Sequence, residues 1–157
     1  GEIMTDYVAT RWYRAPELLI TEGIYGPETD FWSAGCIMGE LADGEPLFPG
    51  DDEYEQILCI QKVLGNFNKY LNDRFYKNSL FLGKNLLDVK RPETLEKKYR
   101  GKLPPLAISF MKGLLNLDCK KRLNCDTVFE HPYFDDLMEK EKANNIMDNF
   151  NGFNTFY

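Results

Sequence analysis

At 157 residues, with 43% hydrophobic and 14% aromatic side chains, the chain has the apolar content for one sizeable core and the length of one domain, or most of one. A net charge of -6 argues against a broad basic face gripping a phosphate backbone, so nucleic acid is not expected as a partner. No apolar run approaches the ~20 residues needed to cross a bilayer, so no membrane partner is expected. Cys36, Cys59, Cys119 and Cys125 form no C-x-x-C pair and His131 is the single histidine, which leaves no zinc-binding set; no metal site is expected. The cysteines are expected to be reduced, small hydrophobes of an intracellular protein, cytoplasmic or nuclear.

Residues 1–26 show no sustained period and carry Pro16, Gly23 and Gly26, which predicts a long loop with at most one short helix after Ala15. From Pro27 the spacing of Trp32, Ile37, Met38 and Leu41 is helical, with Thr29 or Asp30 suited to its start and Gly44 to its end. Ala34, Gly35 and Gly39 permit close approach, and a helix apolar on most sides is expected to be buried. Asp51 and Asp52 suit the N-terminus of a second helix, amphipathic through Tyr54, Ile57, Leu58, Gln61 and Leu64 and stopped at Gly65.

Residues 66–103 are rich in Asn, Lys, Asp and aromatics and are broken by Pro92 and Gly101, so irregular structure with short helical turns is expected there. Pro104 and Pro105 open a third helix whose apolar face is Leu106, Phe110, Met111, Leu114, Leu115 and Leu117. Asn124 is placed to cap a fourth, short helix with Val128 and Phe129 inward, ended by His131 and Pro132. No strand is predicted. From Glu139 onward Lys, Glu and Asn dominate, and the Asn-rich tail is expected to be disordered.

Composition and periodicity make Thr5 to Glu17 only a loop with two arginines and several hydroxyl groups. The same residues, T-D-Y-V-A-T-R-W-Y-R-A-P-E, as a string resemble the end of the activation segment in kinases of the CMGC group, which includes the cyclin-dependent and MAP kinases. D-F-W-S-A-G-C-I at Asp30 to Ile37, E-P-L-F-P-G at Glu45 to Gly50, and D-x-x-x-R followed by H-P-Y-F at Asp118 to Phe134 extend the resemblance along the chain. I-Q-K-V-L-G at Ile60 to Gly65 and L-E-K-K-Y at Leu95 to Tyr99 favour the cyclin-dependent kinase-like family over a MAP kinase, which shares the T-x-Y pattern. Cys119 departs from the pattern where proline often follows the aspartate, as does Asn124 where Ser or Thr commonly caps the last helix.

The resemblance implies a mainly α fold, the C-terminal helical lobe of a protein kinase without its N-terminal β lobe or catalytic loop. It divides the chain into the activation-segment end and substrate loop (1–26), a helical lobe (27–134) with a group-specific insert at about 66–103, and the tail (135–157). Thr5 and Tyr7 are then the regulatory phosphosites, each phosphate adding about -1.5 to -2 charge, and Arg11 and Arg14 the donors that clamp phosphotyrosine. Thr10 would bond the catalytic aspartate and lysine, and Asp30 would accept hydrogen bonds from the catalytic-loop backbone; both support catalysis without performing it. Val8 and Arg14 would shape the pocket for the residue after the phosphoacceptor, favouring proline or a small residue, because proline has no N–H to leave unsatisfied. Glu17 and Arg122 would form a buried ion pair. His131 is expected to be structural.

The glycine-rich loop, strand lysine, H-R-D-x-x-x-x-N loop and D-F-G aspartate that phosphoryl transfer needs do not occur in these residues. A cut at Gly1, inside the activation segment, is therefore expected, with ATP and Mg2+ bound by the parent enzyme and the fragment alone inactive. Two functions follow: a serine/threonine kinase acting on protein substrates, switched on by an upstream kinase or by autophosphorylation, or a noncatalytic pseudokinase remnant or interaction module. Intact Val8, Thr10, Arg11, Arg14 and Asp30 favour the kinase, since a remnant has no need of a substrate groove.

Overall fold

The computed structural model describes residues 11–21 and 26–140. These residues are helical and contain no strand. They fall into two compact units, divided after Asn124.

In the first unit, Pro16–Ile20 forms the short helix α1, with proline at its first position, where no intrahelical N–H is needed. Helix α2 spans Glu28–Asp43 and ends at Gly44, which adopts φ 76° and returns its N–H to the Glu40 carbonyl. Pro27 takes the cap position, and Thr29 and Asp30 lie in the first turn, near the start as expected; Thr29 is buried, its hydroxyl donating to the Gly26 carbonyl at 2.7 Å. The buried stripe is Thr29, Trp32, Gly35, Cys36 and Gly39, at helical steps along one face. Ile37 and Leu41 lie off that stripe and are exposed, so α2 is not buried on most sides.

Helix α3, Glu53–Leu64, is capped by the Asp52 carboxylate, which accepts from the Glu55 N–H at 2.7 Å, and is stopped by Gly65 at φ 91°. In the segment expected to be irregular, Lys69–Lys77 forms a nine-residue helix, α4. Asn68 caps it through Leu71 N–H at 2.9 Å, while Leu71 and Phe75, one turn apart, are its only buried residues. Two buried positions give little apolar period, which is why composition favours a loop there. Asn78 then caps the 3-10 turn Ser79–Phe81 and donates to the Ile20 carbonyl at 2.8 Å, tying this segment to α1. Stacked rings of Phe75 and Phe81, 4.6 Å apart, fill the junction.

The chain from residue 85 to 94 is held to α3 and its end by the Tyr54 hydroxyl on the Asn85 carbonyl, by the Lys62 and Val63 carbonyls, which accept from the Glu93 and Thr94 N–H groups, and between them by side-chain amides. Buried Gln61 accepts from Leu87 N–H at 2.9 Å and donates to the same residue's carbonyl at 3.3 Å, and Asn66 repeats this with Val89. Leu87 and Val89 thus have their backbone N–H and C=O groups satisfied without a sheet. Thr94 caps the single turn α5, Leu95–Lys98. Helix α6, Pro105–Leu114, buries Ala107, Ile108, Phe110, Met111 and Leu114, leaving Leu106 half exposed.

Helices α2 and α6 pack through glycine. A Cβ at Gly35 would lie 2.8 Å from Leu115, and one at Gly39 would meet the Tyr99 hydroxyl and come within 2.7 Å of the Met111 methyl. Burial of Tyr99 pushes its phenol up, keeping it neutral in this contact.

In the second unit, the predicted Asn124-capped helix is a 3-10 turn, Val128–Glu130, with Thr127 at its cap position. Val128 is buried, but Phe129 is 60% exposed, its ring 5.4 Å from that of Phe134. His131 Nδ1 accepts from Tyr133 N–H at 3.1 Å and caps the next turn, Pro132–Phe134. Residues 135–140 are helical, and the remainder of the Asn-rich stretch lies outside the described residues. No helix among the described residues is long and apolar enough to cross a membrane.

The glycine contact gives a direct expectation. Gly39→Ala should lower unfolding free energy by about 1–3 kcal/mol through overpacking, despite alanine's better helix propensity; denaturant unfolding that shows equal or higher stability would remove the close-packing role.

Candidate functional site

Four of the residues singled out in the sequence, Thr5, Tyr7, Val8 and Thr10, lie outside the described residues. The segment that follows them is fixed side chain by side chain. Arg11 is buried; its Nε donates to Glu53 Oε1 at 3.2 Å and its Nη1 to the Asp51 carbonyl at 3.0 Å. Trp12 Nε1 donates to the Gly50 carbonyl at 3.0 Å, and the Trp12 carbonyl accepts from Gln56 Nε2 at 3.4 Å. Gln56 is fully buried, and its Oε1 takes the Gly50 N–H at 3.1 Å, so one amide closes the loop before α3 against residue 12. Arg14 is half-buried, and its N–H returns to the Arg11 carbonyl at 3.0 Å.

Tyr13 faces the other helix. Its hydroxyl donates to Glu40 Oε2 at 2.5 Å, while its carbonyl accepts from the Ser33 hydroxyl at 2.8 Å. The hydrogen bond to Glu40, aided by desolvation and the nearby negative charge, pushes the Tyr13 phenol up to about 12. The residues 11–13 are thereby stitched to α3 on one side and to α2 on the other. Asp30 stands exposed in the first turn of α2.

Arg122 organises the base beneath. Nη1 and Nη2 donate to the two carboxylate oxygens of Glu17 at 2.5 and 2.9 Å, bridging positions 105 residues apart. Nη1 also donates to the Glu28 carbonyl at 2.9 Å and Nε to the Asn116 carbonyl at 3.1 Å, while the guanidinium carbon lies 5.1 Å from the Trp32 ring centroid. Both side chains are buried, at 0% and 7% exposure, so desolvation is offset by two-pronged geometry and by the additional carbonyl acceptors. Asp118 shapes the turn that delivers Arg122, its carboxylate accepting from Lys120 N–H at 3.1 Å and its carbonyl from Arg122 N–H at 3.1 Å.

Sequence reasoning missed Trp12, Tyr13, Ser33, Glu53 and Gln56 as parts of this arrangement. Gln56 carried a signal, since it borders Ile57 and Ile60 on the buried face of α3, where an unpaired amide would be costly. Glu53 and Ser33 carried none, because an acidic first turn and a helix serine have ordinary local explanations.

A helical base that grips an R-W-Y-R-A-P-E segment through a distant arginine, below a loop pinned between two helices, has the form of the C-terminal lobe of a protein kinase. The protein kinase domain family matches residues 1–134, and the chain belongs to it. Its relatives place it with the cyclin-dependent kinase-like kinases of the CMGC group. It is 45% identical to cyclin-dependent kinase-like 2 of Oryctolagus cuniculus over 134 residues, covering 85% of this chain and 24% of that protein. To cyclin-dependent kinase-like 5 of Mus musculus it is 47% identical over 130 residues, 83% of this chain and 14% of that protein. Cyclin-dependent kinase-like 4 of Homo sapiens is 41% identical over 148 residues, 92% of this chain and 39% of that protein. The chain therefore spans well under half the length of each of these relatives.

Truncating Arg122 to alanine should cost about 3–5 kcal/mol, because Glu17 stays buried without its partner. Denaturant unfolding measures it, and a loss below about 1 kcal/mol, the range of an exposed pair, would show that the bridge contributes little.

Proposed function

We propose that the chain is the substrate-facing and regulatory half of a serine/threonine protein kinase that transfers the ATP γ-phosphate to Ser or Thr hydroxyls of intracellular protein substrates, in the cytoplasm or nucleus. The observation that carries this reading is the fastening of Arg11, Trp12 and Tyr13 to α2 and α3. A loop held by both arms of its backbone and side chains suits a surface that must present a substrate residue in one register.

Within this reading each residue of the loop has a task. Phosphates on Thr5 and Tyr7, added by an upstream kinase or by autophosphorylation, are the switch, and Arg11 and Arg14 receive the phosphotyrosine. Arg11 is engaged by the single carboxylate of Glu53, so a phosphate dianion competes for it with the larger charge. Val8 and Arg14 shape the site for the residue after the phosphoacceptor and favour proline or a small side chain. Thr10 and Asp30 position the catalytic loop. ATP and Mg2+ are the reaction's cofactors, and the residues present here do not fit them: among the described residues no group of His, Cys, Asp or Glu could hold a metal ion, and the phosphate-gripping motifs are not in the sequence. Within this reading, ATP and Mg2+ are held by residues other than those present here.

The test is a peptide-library phosphorylation assay with the full-length protein. Phosphate should enter Ser or Thr peptides with proline or a small residue next in sequence, and a preference for a bulky basic residue there would contradict the assigned pocket. Tyr7→Phe should lower the rate by on the order of tenfold or more, the worth of a charge-assisted hydrogen bond; an unchanged rate would remove Tyr7 from the switch.

A further inference from the structure

Basic charge is concentrated in one part of the chain. Residues 66–103 hold ten Lys and Arg against four Asp and Glu, in a chain whose net charge is -6. At one end of this segment, where α4 begins, lies a cavity of about 560 Å³ between Asn68–Leu71 and Leu117–Lys120. Its walls are apolar in character: Leu71 is buried, Leu117 is half-buried, and the Cys119 thiol is pushed up by burial, so it stays uncharged at neutral pH.

The two carboxylates that line the cavity are already engaged. Glu17 is bound by Arg122, and Asp118 caps its own turn and lies 3.8 Å from Lys121. The two lysine side chains are not: among the described residues, neither the Lys69 nor the Lys120 ammonium has a hydrogen-bond or ion-pair partner, and both residues are exposed. Beside them Arg74 rests over the ring of half-exposed Tyr70, its carbon 5.4 Å from the centroid, extending the positive rim. Asp73 is the one acidic side chain on α4 and is outnumbered there by Lys69, Arg74 and Lys77.

We propose that this cavity docks a segment of a partner protein that carries an apolar side chain flanked by carboxylates. The apolar side chain fills the space between Leu71, Leu117 and Cys119, and the flanking carboxylates meet Lys69 and Lys120. The one aromatic ring in the lining, Tyr70, carries the Arg74 guanidinium over it, and a chain of net charge -6 has no broad basic face for a phosphate backbone, which favours such a peptide over a nucleic acid strand. Rim charges of this kind govern encounter rate and partner choice, so the interaction weakens with salt.

The experiment uses the full-length protein and a short fluorescein-labelled peptide with one leucine between pairs of glutamates, read by fluorescence anisotropy at low and high salt. Binding should weaken by about tenfold or more in the double variant Lys69→Glu, Lys120→Glu, and less in Lys69→Gln, Lys120→Gln, as expected for two partly exposed pairs. The bound peptide should also slow alkylation of Cys119 by iodoacetamide and leave that of Cys125 unchanged. Thermal unfolding of each variant should match the parent, since both lysines are exposed. Failure of the glutamate-flanked peptide to bind, equal or tighter binding of a lysine-flanked version, undiminished binding by the glutamine variant, or displacement by a single-stranded RNA would each overturn the proposal.

Discussion

The guanidinium of Arg122 sits where three separate stretches of chain converge. Four of its five N–H groups are placed: two on the Glu17 carboxylate, one on the Glu28 carbonyl and one on the Asn116 carbonyl. A lysine could supply the charge but not this planar fork, nor the face that lies against Trp32. Through this one group the helix after the loop, the first turn of α2 and the segment following α6 share a fixed geometry. Such a pair contributes less to net stability than its contact distances suggest, since both ions are desolvated. Its larger effect is specificity: once the pair is buried, few other arrangements of α1 satisfy Glu17.

The segment that precedes α1 builds on that base. With α1 held, residues 11–13 have a fixed exit, and their contacts to Asp51, Glu53 and Gln56 on one side and to Ser33 and Glu40 on the other leave little freedom. Gln56 and Gln61, both buried in α3, play a related part by satisfying backbone groups of neighbouring loops with side-chain amides. Helix α3 is therefore a hub whose polar residues, as much as its apolar ones, set the paths of the flanking segments. The basic segment after it remains tied to α1 through Asn78 and the Ile20 carbonyl.

What could be read from the sequence follows the range of each interaction. The stops at Gly44 and Gly65, the Asp52 cap and the proline entry to α6 are local signals, and each element ends or begins as that chemistry dictates. Helix α4 escaped notice because only Leu71 and Phe75 are buried in it. On α2, Trp32 and the close-packing Gly35 and Gly39 face inward as their residue types suggest, whereas Ile37 and Leu41 point outward because Thr29, Cys36 and the two glycines complete the buried stripe around Trp32. No local pattern joins Glu17 to a charge 105 residues away, and only the resemblance to a family connected them. Arg11 was legible as a donor, whereas its acceptors on α3 depend on how the loop folds back.

The central claim is that Arg122 holds α1 in place and, through it, residues 11–13 that lead into it. Amide hydrogen exchange in an Arg122→Lys variant tests this most directly. Lysine keeps the charge and loses the fork, so the amides of Leu18, Leu19 and Thr21, bonded to Ala15 and Glu17 carbonyls, should lose protection first, while those of α4 and α6 stay near the parent values. Unchanged protection at Leu18, Leu19 and Thr21, or an equal loss across every helix, would contradict it.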